Sequence, residues 1–154
     1  MRRLTIGCVI FVVIAVSGGI AINPPQAIAG EASTVAATAE VPDNGIVAFY
    51  FHGNKRCSTC RKLESYSDKA VTGGFAPELD AGELEWRVVN TDDKENVHFI
   101  TDFELVTKSV VLVEYRDGEV VRFNNLKLVW QLVGDEDGFI RYVRDETRDF
   151  LAEG

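Results

Sequence analysis

Apolar and polar positions along the chain fall into two alternating periods. Residues 46–51, "IVAFYF", form an unbroken apolar and aromatic run, which predicts a strand buried on both faces. "GN" then breaks the run. From Ser58 to about Lys69 the period changes to that of a helix. Leu63, Tyr66 and Ala70 recur three and four positions apart, with Arg61, Lys62, Glu64 and Asp68 between them, and Gly73 and Gly74 end the pattern. "FAPELDAG" reads as a short helix or turn. "ELEWRVVN" predicts a second strand with Trp86, Val88 and Val89 in the core. "TDDKENVHFITDFEL" predicts a second helix, with Thr91 or Asp92 as its N-cap and Val97, Ile100 and Phe103 on its apolar face.

Two apolar runs around Asp117-Gly118, "SVVLVEYRDGEVVRFNN", predict a hairpin. Beyond it the helical period returns. Leu126, Val129, Trp130 and Val133 form one apolar face, and Gly134 interrupts it. Phe139, Val143, Thr147 and Phe150 form another, with Ile140 and Leu151 beside them. "DEDG" at 135–138 reads as a solvated turn and N-cap, since a calcium loop needs many more oxygen ligands. Trp86 and Trp130 read as core anchors. The order is strand, helix, strand, helix, strand, strand, helix. A helix between the first two strands makes them parallel, with a right-handed crossover. The expected fold is therefore α/β: a mixed four-stranded sheet, two strands parallel and two in a C-terminal antiparallel hairpin, with helices on both faces.

The chain has 154 residues, which suggests one domain preceded by an N-terminal segment. Leu4 to Ile22 is 19 residues without a charge, preceded by Arg2 and Arg3. With Ala27 and Ala29 placed as a cleavage site, residues 1–29 read as a signal peptide, cleaved after Ala29. An uncleaved membrane anchor is the competing reading. Both place the remainder outside the cytoplasm, in a periplasmic or other extracytoplasmic space. Cys8 lies inside the apolar stretch and reads as filler. Residues 30–44 read as a flexible linker, and 45–154 as the folded domain. Without Arg2 and Arg3 the chain carries 14 basic against 24 acidic residues, a net charge of −10. That balance argues against a nucleic-acid partner and for a soluble, monomeric surface.

Beyond the export segment only two cysteines remain, Cys57 and Cys60, too few for a disulfide scaffold. They fall where the first strand feeds the first helix, at the carboxyl end of a strand, where α/β sheets place their chemistry. A helix start stabilises a thiolate, and Lys55, Arg56, Arg61 and Lys62 add positive charge around it. Three roles are open. Redox work is favoured, with Cys57 as attacking thiolate and Cys60 as resolving thiol. Soft-metal or metalloid binding through the same two sulfurs comes next; His52 and His98 are the remaining soft or borderline donors, and His98 reads as packing or surface. A purely structural disulfide comes last, because so short a loop adds little stability. His52 reads as a partly exposed strand-end histidine, with a proton relay as the alternative. Glu64, one turn beyond Cys60, reads as an ion-pair partner of a nearby base.

The strand, the C-x-x-C element opening a helix, and the "EYRDGEVVRF" hairpin resemble the thioredoxin superfamily over about residues 45–151. The runs "YFHGNKRCSTCRKLE", "LEWRVVN" and "TKSVVLVE" are similar to a small bacterial thioredoxin-like family, the nitrophenyl compound nitroreductase subunit ArsF proteins. That resemblance implies a redox-active Cys57–Cys60 disulfide without a further cofactor, a protein or small-molecule dithiol or disulfide partner, an arsenic-operon context and a reductase partner. The chain departs from ordinary thioredoxins in three places. Arg56, Ser58 and Thr59 replace the usual surroundings of the cysteines. Ser109 or Val110 stands where the superfamily places a cis-proline. Residues 46–53 hold no Asp or Glu in place of the buried acid. A non-catalytic accessory subunit is the third reading of the chain.

Overall fold

The computed structural model describes residues 42–154. The expected export segment and most of the expected linker lie outside the described residues. The elements are β1 (Gly45–His52), α1 (Ser58–Thr72), α2 (Ala76–Ala81), β2 (Leu84–Asn90), a one-turn 3₁₀ segment (Lys94–Asn96), α3 (His98–Asp102), β3 (Ser109–Arg116), β4 (Glu119–Asn125), α4 (Val129–Leu132) and α5 (Glu136–Ala152).

The four strands form one mixed sheet in the order β2-β1-β3-β4. β1 runs parallel to β2, with Ala48 opposite Trp86 and Tyr50 opposite Val88. It runs antiparallel to β3, with Tyr50 opposite Val110 and Phe51 opposite Ser109. β3 and β4 make the hairpin. Its turn needs two consecutive positive φ angles, and Asp117 (φ 54°) and Gly118 (φ 77°) supply them. The end of the expected linker is tied to this turn: the Gly118 amide donates to the Asp43 carbonyl at 2.9 Å, and the Asp117 amide to Asn44 Oδ1 at 3.2 Å.

Alternation along β1 divides the core in two. Ile46, Ala48 and Tyr50 face the layer formed by α1 and α5, where Leu63, Val71, Phe139 and Val143 are fully buried. Val47, Phe49 and Phe51 face the other side and pack on Phe99 and Phe103. β1 is thus buried on both faces, as its apolar run predicts.

Four expected positions are corrected. Val88 is 43% exposed, because β2 is an edge strand and Val88 lies near its end. Val97 and Ile100 are exposed, and Phe99 joins Phe103 as the buried pair. The single helix expected there is instead a 3₁₀ turn followed by a five-residue helix, so its inward face shifts. Trp130 is 37% exposed, and its indole N–H donates to the Lys108 carbonyl at 2.9 Å; it sits at the rim, with its polar edge satisfied. Trp86, by contrast, is half-buried against the core. At residue 135 the expected cap forms: Asp135 Oδ1 accepts from the Gly138 amide at 3.1 Å at the start of α5.

Candidate functional site

The polypeptide leaves β1 at His52 and enters α1 at Ser58, with Cys57 as the N-cap. Cys57 and Cys60 form a disulfide, with their Cα atoms 5.0 Å apart. The Cys60 amide donates to Cys57 Sγ at 3.1 Å, so one unpaired N–H of the helix start already points at that sulfur. Cys57 is exposed, whereas Cys60 is 2% exposed. The two sulfurs are therefore unequal: one is open to a partner, and the other is sealed beneath it.

Behind Cys60 stands Tyr50. Its phenol is fully buried and donates to the Cys60 carbonyl at 2.7 Å. Burial pushes the Tyr50 pKa up to about 12, against a smaller opposite pull from Arg56. At neutral pH it is a fixed donor and not a base. In the sequence Tyr50 is one aromatic among several in its run. Its signal was there, since a hydroxyl within a strand buried on both faces must find a partner.

His52 is half-buried, with Nδ1 3.0 Å from the Gly53 carbonyl and Nε2 3.1 Å from Arg56 Nη1. A guanidinium only donates, so Nε2 accepts, and the ring proton sits on Nδ1 and is given to Gly53. Burial is the main cause that holds His52 below the usual imidazole range; the Gly53 bond opposes it, and the Arg56 charge adds to it. Both ring nitrogens are engaged. Arg56 also pairs with Glu64 on α1, so the residue before Cys57 is clamped between the end of the strand and the helix.

The loop is held from β2 as well. The Thr91 amide and hydroxyl both donate to the His52 carbonyl, at 2.7 and 3.1 Å. Asp92 Oδ2 accepts from the Asn54 amide at 2.7 Å. Thr91 and Asp92, expected as helix caps, are corrected to loop anchors. A Cβ on Gly53 would meet Asp92 Oδ2 at 2.9 Å, so a side chain there would displace the carboxylate that accepts from Asn54.

The remaining predicted residues are placed as follows. Lys55 is exposed and lines an open cleft of about 480 Å³ with Asn54, Val106 and Lys108. Ser109 and Val110 are buried in β3 opposite Phe51 and Tyr50, and the Ser109 hydroxyl is spent on the Thr107 carbonyl at 3.0 Å. His98 lies exposed on α3, 4.0 Å from Asp102. Among the described residues, no three His, Cys, Asp or Glu side chains gather as a metal site.

No protein-family model and no curated protein matches the chain. Solved structures do. The first two thioredoxin domains of Naumovozyma dairenensis Eps1p match at 17% identity and a TM-score of 0.42, over 79% of this chain. This chain spans only 41% of that one. Desulfothioredoxin from Desulfovibrio vulgaris Hildenborough, in its reduced form, matches at 25% identity and a TM-score of 0.36, over 60% of this chain and 79% of that one. Thioredoxin from Trypanosoma brucei brucei matches at 14% identity and a TM-score of 0.37, over 71% and 80%. This chain's own sheet order, parallel first pair and C-x-x-C at the start of α1 make its fold thioredoxin-like.

Proposed function

We propose that this chain is an exported thiol–disulfide oxidoreductase working through Cys57 and Cys60. The observation that carries the reading is the unequal pair at the start of α1, exposed Cys57 joined to buried Cys60. In the reductive direction, a thiolate of the partner attacks Cys57 Sγ, and the Cys57–Cys60 bond breaks. Cys60 leaves and takes a proton, and a mixed disulfide joins the partner to Cys57. The partner's second thiol then displaces Cys57 as a thiolate, with the partner oxidised to its disulfide. In the oxidative direction the same steps run backwards. The helix start stabilises the Cys57 thiolate through its free amides, which makes Cys57 the better leaving group and nucleophile.

Export rests on the sequence of residues 1–29, read as a signal peptide or membrane anchor ahead of a linker. Similarity of the cysteine run to the ArsF family supports a reductase partner in an arsenic context. The test is trapping. Cys60→Ser should hold partners as mixed disulfides on Cys57, released by dithiothreitol, and Cys57→Ser should hold few or none. A parent protein whose Cys57–Cys60 bond exchanges with neither glutathione nor dithiothreitol would overturn the reading. Tight As(III) or Cu(I) binding by that pair, once a phosphine has reduced it, would replace the reading with a binding role.

A further inference from the structure

We propose that Arg56, clamped between His52 and Glu64, sets how readily Cys57 carries negative charge, and that Glu64 is its counterweight. This deepens the oxidoreductase reading and rests on it. Four bases surround the cysteines, but they are not equivalent. Lys55, Arg61 and Lys62 are exposed, where water and salt screen their charges. Arg61 spends one N–H on the Arg56 carbonyl at 3.1 Å. Arg56 directly precedes Cys57, and its side chain is only 31% exposed. Its guanidinium donates to His52 Nε2 at 3.1 Å and pairs with Glu64. Its charge is thus delivered at a fixed place. His52 is neutral in this bond and supplies orientation without charge.

Reduction changes what this clamp faces. The disulfide is uncharged. When a partner dithiol reduces it, two electrons enter the pair and the partner becomes a disulfide. One of the partner's two protons ends on Cys60, and the other goes to solvent, leaving Cys57 as a thiolate. That new charge is attracted by Arg56 and repelled by Glu64, whose side chain is 28% exposed. The other carboxylates are Asp68, exposed on α1 in the hollow that Arg56 and Glu64 also line, and Asp92 and Asp93 near the loop. Asp92 is committed to the Asn54 amide, and Asp93 Oδ1 accepts from Asn90 at 3.0 Å. Glu64 is the acid that holds Arg56 directly. The two charges act on that thiolate with opposite signs, so removing one should shift it in the direction opposite to removing the other.

The experiment uses the reduced protein and its variants R56Q, E64Q and R56Q/E64Q. Iodoacetamide alkylation of Cys57 against pH gives the thiolate fraction, and equilibrium with glutathione gives the exchange constant. R56Q is expected to lower the thiolate fraction below its midpoint pH by roughly three- to tenfold, and E64Q to raise it by a similar factor. The double variant should fall between them, near the parent. A tenfold change in the exchange constant corresponds to about 30 mV, with E64Q the more oxidising. Should R56Q unfold, E64Q alone decides, because a damaged site does not gain thiolate. Shifts of the same sign in both single variants, or none in E64Q, would overturn the proposal. Alkylation reads Cys57 whether or not the pair exchanges, so loss of glutathione exchange in the parent counts against the oxidoreductase reading and not against this electrostatic one.

Discussion

The two faces of the sheet are covered very differently, and the site draws on both. One face carries α1, of 15 residues, and α5, of 17. The other carries a three-residue 3₁₀ turn and the five-residue α3. The first face buries a mixed aliphatic and aromatic core and holds Cys60 directly, through α1 and through the Tyr50 phenol. The second compensates for thin cover with aromatics: Phe49, Phe51, Phe99 and Phe103 have ring centroids 5.0 to 6.2 Å apart in the pairs that touch. The two faces divide the labour. The thick face fixes the buried sulfur. The edge strand β2 and the turn after it hold the loop that presents the exposed one.

Large-to-small substitutions should expose this asymmetry most strongly. Phe139, on α5, is fully buried, and Phe99, on the short α3, is 2% exposed. Both lose a full ring on truncation to alanine, but the cavity term depends on how far the surroundings collapse. Phe139→Ala should cost about 4 kcal/mol, because long helices on both sides resist collapse. Phe99→Ala should cost about 3 kcal/mol, because a short helix moves inward easily. Urea unfolding of the oxidised proteins measures both. A larger loss for Phe99→Ala would invert the comparison.

A smaller effect is expected at the tyrosines, one on each face. Tyr50 and Tyr115 are both buried, and burial pushes each pKa up to about 12. A phenol whose folded pKa lies above its unfolded value of 10.0 stabilises the fold fully below pH 10. That contribution is lost as the pH rises from about 10 through about 12. Tyr50→Phe should cost about 1 kcal/mol at neutral pH, for one buried hydrogen bond. It should also remove Tyr50's share of the alkaline loss and leave that of Tyr115. The functional readout separates the faces: Tyr50→Phe should slow release of the mixed disulfide by Cys60, and Tyr115→Phe should not. Equal kinetics in the two variants would deny Tyr50 its hold on Cys60.

How much of this was legible depended on the range of the interactions involved. The run at 46–51 announced a central strand, and Asp117-Gly118 announced the turn, because each signal lies within a few residues. The pairing of β1 with β2 followed from the intervening helix. The cysteines' place at a strand-to-helix junction was equally local. What stayed hidden was long-range. Tyr50 meets Cys60 across ten positions, and Asp92 meets Asn54 across 38. An acid after a strand looks like a helix cap in one dimension, and only the parallel pairing of β1 and β2 shows that it caps a loop instead. The exposure of Val88, Val97, Ile100 and Trp130 was hidden for the same reason, since periodicity shows which residues share a face and not whether anything covers it.

The smallest effect tests the loop anchor itself. Asp92 is exposed, and its carboxylate accepts one amide hydrogen bond, from Asn54. Neighbouring bonds remain without it: Asn90 Nδ2 still reaches Asn54 Oδ1 at 2.9 Å, and Thr91 still holds the His52 carbonyl. Asp92→Ala should therefore cost only about 0.5–1 kcal/mol in urea unfolding. Its consequence should be dynamic, because the loop before Cys57 has no helix of its own. Amide exchange at Asn54 should quicken while exchange at Leu63, inside α1, stays as it was. If both quicken together, the loop and the helix open as one unit, and the division between an anchored sulfur and a presented one does not hold.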